Sequence, residues 1–307
     1  MKLRVLVLKL VLIVSLALIP PSAHSAAERR VALVIGNGEY RSAPLRNPPN
    51  DAEAMARTLS GLGFVVNKKI NADRKTMIQA IHDFGRELRQ GGVGLFFYAG
   101  HGMQVKGVNY LIPIDANPMA EQEVEFEAVA AERVLALMEA AGNTVNIVIL
   151  DACRNNPFGR SFRSASRGLA RMDAPKGSYV AFATAPGAEA ADGTGSNGLF
   201  TEQLLKNMVT PGLTLEEVMK RTRVAVAQAT GDKQLPWDSS SLMGNFYFVP
   251  ATAAPSPGVV GPSPIIAPPA PVTPPAPGVV PNYEDLVRQR REAAQQWAVW
   301  QGRMDAE

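Results

Sequence analysis

Among the 307 residues of the chain there is one cysteine, Cys153, and there are three histidines, His24, His82 and His101. A thiol becomes a nucleophile when a neighbouring imidazole takes its proton, so cysteine and histidine together are enough to attack a carbonyl covalently. Cys153 follows the apolar run Val145-Asn-Ile-Val-Ile-Leu150, and His101 follows Leu95-Phe-Phe-Tyr98. Ligands of open parallel sheets bind beyond the carboxyl ends of the strands, which is where both residues fall. Glycines on both sides of His101 free the backbone to approach a substrate. Backbone N–H groups of Gly102 and Cys153 are then available to a developing oxyanion. Each residue also has a plainer reading: a cysteine closing an apolar strand serves as core filler, and a histidine between glycines simply turns the chain.

The remaining polar candidates carry less. His82 lies beside Asp83 in a helical pattern with Met77, Ile78, Ile81 and Phe84, and reads as a surface or half-buried helix residue. A single cysteine excludes an internal disulfide and any multi-cysteine zinc or iron–sulfur site. Gly36-Asn-Gly38 follows a strand but lacks a third glycine and leads into a proline-rich loop, so a dinucleotide site is weak.

The elements that must carry these residues alternate between strand and helix from about 30 to 249. Strands are predicted at 31–35, 65–70, 94–98, 145–150, 178–184 and 246–249, and helices at 50–62, 74–89, 126–141, 199–208 and 214–230. Such alternation marks βαβ units and an α/β fold with a mainly parallel sheet. Continuous apolar runs are what strands need when helices cover both faces. The stretch 154–177 has no apolar period and reads as a long loop, a class of segment that often carries function.

Both ends of the chain differ from this middle. A basic start, the apolar run 10–19 and the small residues Ala23-His-Ser-Ala-Ala27 read as an export signal over 1–25. The competing reading, a membrane anchor, needs about 20 apolar residues, and Lys9 interrupts the run. An exported product, periplasmic or secreted and with no stable membrane span after removal of the signal, is the expectation. The formal charge of +3 belongs to that signal: without Lys2, Arg4 and Lys9, 28 basic residues face 28 acidic ones. A neutral chain has no electrostatic footprint for nucleic acid.

Following the globular part at 26–249, residues 250–281 hold 12 of the 24 prolines and read as an extended linker. In 282–307, Tyr283, Leu286, Val287, Ala294, Trp297, Trp300 and Met304 recur at helical spacing. An isolated amphipathic helix needs a surface to pack on. It is open whether that surface is the domain, a second copy or a protein partner.

From 30 to 249 the sequence resembles the caspase and metacaspase-like cysteine peptidases, especially the bacterial orthocaspases. The resemblance rests on Val31-Ala-Leu-Val-Ile-Gly-Asn37, Asn50-Asp51-Ala52, Tyr98-Ala-Gly-His-Gly102, Asp151-Ala-Cys-Arg154 and Ala183-Thr-Ala-Pro-Gly187, and near the end on Gln234-Leu-Pro-Trp237. His101 and Cys153 are 52 residues apart, against about 50 in caspases. It implies a three-layer caspase-like fold, a six-stranded mostly parallel sheet with helices on both faces. It also implies a dyad of His101 as base and Cys153 as nucleophile, with the oxyanion held by the backbone of Gly102 and Cys153.

Asp51 and Asp151 match positions at which metacaspases hold a basic side chain, so the implied substrates are polypeptides cut after Arg or Lys. Two carboxylates suit a guanidinium, which offers them bidentate geometry, and an extended strand puts Asp151 on the face of Cys153. A helix-capping acid is the other reading of Asp51. Arg160, Arg163, Arg167, Arg171 and Lys176 then lie where such a peptidase cuts itself, though a solvated basic loop has the same composition.

No cofactor is required by this chemistry. Calcium enters only with the resemblance, for which Asp115, Glu121, Glu123, Glu125 and Glu127 are the acids at hand, without EF-hand spacing. The rival to a peptidase is a catalytically idle caspase-like scaffold that works through its proline-rich arm and terminal helix. Specificity for Asp is disfavoured by an acidic pocket.

Overall fold

A computed structural model of the chain describes residues 28–153, 168–186, 188 and 195–251. The predicted signal, most of the basic loop, the proline-rich linker and the tail lie outside these residues. The elements in chain order are β1 (Arg30–Gly36), α1 (Pro48–Gly61), β2 (Val65–Ile70), α2 (Arg74–Leu88), β3 (Val93–Val105), β4 (Val108–Leu111), α3 (Val124–Glu127), β5 (Val129–Ala130), α4 (Ala131–Ala140), β6 (Val145–Cys153), β7 (Ser178–Phe182), α5 (Leu199–Met208), α6 (Leu215–Thr230) and β8 (Trp237–Ser240).

Six strands form the main sheet in the order β2-β1-β3-β6-β7-β8, all parallel except the β7–β8 pair. Residues alternate between its two faces. Ala32, Val34, Leu95, Phe97, Ile147 and Ile149 pack with Met55 and Leu59 of α1, Leu204 of α5 and Val218 of α6. Leu33, Ile35, Phe96, Tyr98, Val148 and Leu150 pack with Met77, Ile81 and Phe84 of α2 and Val134 and Met138 of α4. The fold is therefore α/β in three layers, as expected from strands apolar on both sides.

Local chemistry sets the helix ends. Pro48 opens α1, and Asp73 accepts the Thr76 N–H at 2.7 Å to start α2; hydrogen bonding from the Thr76 side chain, and then from its N–H, holds the Asp73 carboxyl below its usual range. Thr214 and Glu217 form a capping box on α6, which ends at Gly231 in the left-handed region, φ 59°. At the far edge, Tyr179 donates to Asp238 at 2.8 Å, and Asp238 also pairs with Arg223. Burial holds the Tyr179 phenol above its usual range.

Three expectations need correction. The strand predicted at 94–98 continues through His101 to Val105, because beyond the main sheet it pairs with β4. The helix predicted at 126–141 is broken: Phe126 is exposed, and Val129 turns inward to pair with Leu111 before α4 begins. Residues 246–249 do not form the sixth strand. Their alternation is real, since Phe246 and Phe248 are buried, but they cover the start of α6, where the Phe246 carbonyl accepts the Leu215 N–H at 2.9 Å. The strand is Trp-Asp-Ser-Ser, too polar to show an apolar pattern and tolerated because it lies at an edge.

Phe96 and Phe97 are adjacent, fully buried and on opposite faces. Replacing either by alanine is expected to cost about 3–5 kcal/mol in urea unfolding. A large loss for only one of them would show that one face is not tightly packed.

Candidate active site

Strand β1 ends at Gly36, opposite Ala99 of β3, whereas β6 keeps pace with β3 for two more positions, and the last rung pairs His101 with Cys153. Neighbouring strands run about 4.8 Å apart, so the backbones of the only cysteine and the candidate base are adjacent. From Gly102 onward β3 pairs with β4 instead, Gly102 opposite Leu111. A side chain at Gly102 has no room: its Cβ would stand 2.9 Å from that of Ala152.

His101 is buried, and its orientation is set by a carbonyl. Nε2 lies 2.7 Å from the Ala43 oxygen, and a carbonyl only accepts, so Nε2 carries the proton. In the neutral ring the basic lone pair is therefore on Nδ1. Ala43 supplies that oxygen from a φ of 53°, in the left-handed region, at a cost of about 1–2 kcal/mol for a residue with a Cβ. Its loop is pinned where Asn71 Oδ1 accepts the N–H groups of Gly38 at 2.9 Å and Glu39 at 3.2 Å.

The two predicted acids do come together. Asp51 lies in the first turn of α1 and points inward with Ala52 and Met55, 2% exposed. Asp151 is two positions before Cys153 and 8% exposed. Both reach the start of α5: Asp51 Oδ1 accepts the Gly198 N–H and Asn197 Nδ2, each at 2.9 Å, and Asp151 Oδ2 accepts Thr201 Oγ1 at 2.6 Å. A Cβ on Gly198 would meet Asp51 Oδ2 at 3.2 Å and Asp151 Oδ2 at 3.4 Å, so the two carboxylates flank this glycine. Helix N-termini favour negative charge, which is why buried acids are tolerated here. The capping reading of Asp51 fails, because its side chain reaches the start of α5.

A model of the Caspase domain matches residues 29–247. The chain belongs to the caspase-domain family. It is 33% identical over 130 residues to the mucosa-associated lymphoid tissue lymphoma translocation protein 1 of Homo sapiens, a stretch that is 42% of this chain and 15% of that protein. The Mus musculus homolog is 32% identical over the same length and shares. The chain thus spans a small part of the length of these curated relatives. Family and fold agree: residues 29–247 form a caspase domain built on the three-layer α/β sheet described above.

Within this caspase domain, sequence reasoning missed several residues around the site: Tyr40, the Ala43 carbonyl, Asn197, Gly198 and Thr201. In the sequence Tyr98 stands as part of a strand and of the motif around His101, with no role of its own. Ser196-Asn-Gly198 ahead of an apolar helix is a readable start signal, but the carboxylate it holds, Asp51, lies 146 and 147 positions from Asn197 and Gly198. His82 is exposed, as expected. Of the acids considered for calcium, Asp115 accepts the Arg74 N–H at 2.9 Å and Glu123 the Met119 N–H at 2.7 Å. Among the described residues, no three His, Cys, Asp or Glu side chains are grouped to hold a metal ion. Nor is any helix among them long and apolar enough to cross a membrane.

Thr201→Val keeps the shape of the fully buried side chain and removes the hydroxyl that donates to Asp151. It is expected to cost about 1–3 kcal/mol by denaturant unfolding. An unchanged midpoint would mean that this hydrogen bond contributes nothing.

Proposed function

We propose that the protein is an exported cysteine endopeptidase that cleaves after Arg or Lys with His101 and Cys153 as its dyad. The observation that carries this reading is the final β3–β6 rung, on which the single cysteine and a carbonyl-oriented histidine stand in register. The Cys153 thiol gives its proton to Nδ1 of His101, and the thiolate attacks the scissile carbonyl. The resulting imidazolium keeps its Nε2–H on the Ala43 oxygen, so the ring need not turn. Backbone N–H groups of Gly102 and Cys153 receive the oxyanion. Nδ1–H then protonates the leaving amine, and a water deprotonated by Nδ1 hydrolyses the thioester, returning the free thiol.

Two carboxylates beside the nucleophile's strand support a basic residue before the cleaved bond. A guanidinium between Asp51 and Asp151 would be held from both sides, whereas an acidic substrate side chain would meet like charge. The same carboxylates disfavour a thiolate until a cation arrives, so substrate binding itself helps to activate Cys153. Self-cleavage falls within 160–176, between the nucleophile's strand and β7. Calcium enters this reading only as an added regulator and takes no part in the steps above.

Purified protein is expected to hydrolyse fluorogenic Arg and Lys peptides and not Asp peptides, and Cys153→Ala to abolish turnover. Asp51→Asn should lower kcat/KM on Arg peptides by about 2 kcal/mol or more, roughly thirty-fold. Turnover retained by Cys153→Ala, or preference for Asp, overturns the reading. Mass spectrometry of the purified chain is expected to find cuts after basic residues within 160–176, absent from Cys153→Ala. The same cuts in that variant would exclude self-processing.

A further inference from the structure

The residue that bears the base is itself held by two phenols. The His101 N–H donates to Tyr40 Oη at 2.9 Å, and Tyr98 Oη donates to the His101 carbonyl at 2.7 Å. The ring of Tyr40 also packs on the imidazole, centroids 4.4 Å apart and planes tilted by 51°. The two hydroxyls are 3.2 Å from each other, and both reach the Ile112 carbonyl, Tyr98 at 2.9 Å and Tyr40 at 3.1 Å. Asn37 Nδ2 donates to the same oxygen at 3.2 Å, and the Ile112 N–H returns to the His101 carbonyl at 3.0 Å.

This arrangement answers a definite need. Along β3 the N–H and C=O of every second residue face β1, and β1 stops opposite Ala99. The His101 amide and carbonyl face that vacated side, where water is excluded. A buried backbone group left without a partner costs about 1–3 kcal/mol. The phenols of Tyr40 and Tyr98, with the end of β4, stand in for the missing strand. Phe96 and Phe97 show that hydroxyl-free aromatics fill the neighbouring positions of β3. Gly100 is shaped by the same requirement: its φ is 152°, and a Cβ there would stand 2.6 Å from Tyr40 Oη and 2.7 Å from Tyr98 Oη.

We infer that Tyr40 and Tyr98 are positioning residues, whose hydroxyls fix the backbone of His101 and thereby the direction of its imidazole. The inference rests on the dyad reading. Neither phenol transfers a proton in the reaction. Each acts by keeping Nδ1 in line with the rung shared with Cys153, and the scale is set by hydrogen-bond partners that orient metal-ligating histidines, worth about 10–100-fold. A displacement of about 1 Å carries a similar penalty.

The test uses the full chain carrying Tyr98→Phe, Tyr40→Phe or His101→Ala. Three measurements are made: kcat and KM on an Arg peptide, the pH dependence of alkylation by iodoacetamide, and the thermal midpoint. Because Cys153 is the only cysteine, alkylation reports that thiol alone. Tyr98→Phe leaves the His101 carbonyl its bond from Ile112, so this variant is the one expected to fold fully if Tyr40→Phe does not. For each folded tyrosine variant, kcat should fall about 10–100-fold with KM within about twofold. The alkylation profile should move toward higher pH, as in His101→Ala, because a misdirected imidazole no longer stabilises the thiolate.

A folded Tyr98→Phe protein with unchanged kcat and alkylation profile overturns the inference. So does a loss of kcat matched by the unfolded fraction alone, with the profile unmoved. If His101→Ala itself leaves the profile unmoved, the dyad reading falls first and takes this one with it. If His101→Ala moves the profile and the tyrosine variants do not, only the positioning role falls.

Discussion

A backbone amide buried away from water must find a partner, and that requirement governs the carboxyl end of this sheet. Strand β3 is hydrogen-bonded on both edges up to Ala99 and loses β1 there, yet it continues to Val105 and stays buried as far as Met103. The structure meets the requirement with a short antiparallel partner on one side and two phenolic hydroxyls at the gap. The residue standing at the gap is His101. Its place between two pairing regimes lets the imidazole be aimed independently of the regular sheet while its main chain stays fixed. Rigid elements carry the dyad candidates, and the loops around them supply only single atoms, such as the carbonyl of Ala43.

Charge is handled on the same face by a different means. Asp51 and Asp151 are buried and close to each other, an arrangement that would be costly without compensation. The start of α5 provides it through the Gly198 N–H, the Asn197 amide and the Thr201 hydroxyl. Helix α5 thus belongs to the site as much as to the core: Phe200 and Leu204 anchor it beneath the sheet, the turn before it holds Asp51, and Thr201 in its first turn holds Asp151. Packing on one side of this helix fixes electrostatics on the other.

The architecture was legible because strands covered on both faces write themselves as apolar runs, and Val31 to Ile35, Leu95 to Tyr98 and Ile147 to Leu150 all do so. Helix faces were legible for the same reason. What escaped has a common cause. Strand β8 is a polar edge and carries no pattern, while Phe246 and Phe248 alternate like a strand and are buried as a cover over α6. At the site, His101 and Cys153 stand out in the sequence by residue type and place, whereas Asp51 and Asp151 are marked only by the resemblance to metacaspases. Tyr40, Thr201 and Gly198 carry no mark, because a hydroxyl or a glycine acquires its role only from tertiary neighbours 50 or more positions away.

The Ala43 carbonyl has a bearing on how this machinery would look to genetics. The oxygen that fixes the tautomer of His101 belongs to the main chain, so every substitution at position 43 leaves it in place. A saturation scan would score the position by tolerance of a left-handed conformation, in which glycine outperforms the native alanine, and would register no loss of a functional group. Inheritance at this position acts on the curvature of a loop, and the atom itself is invisible to mutation.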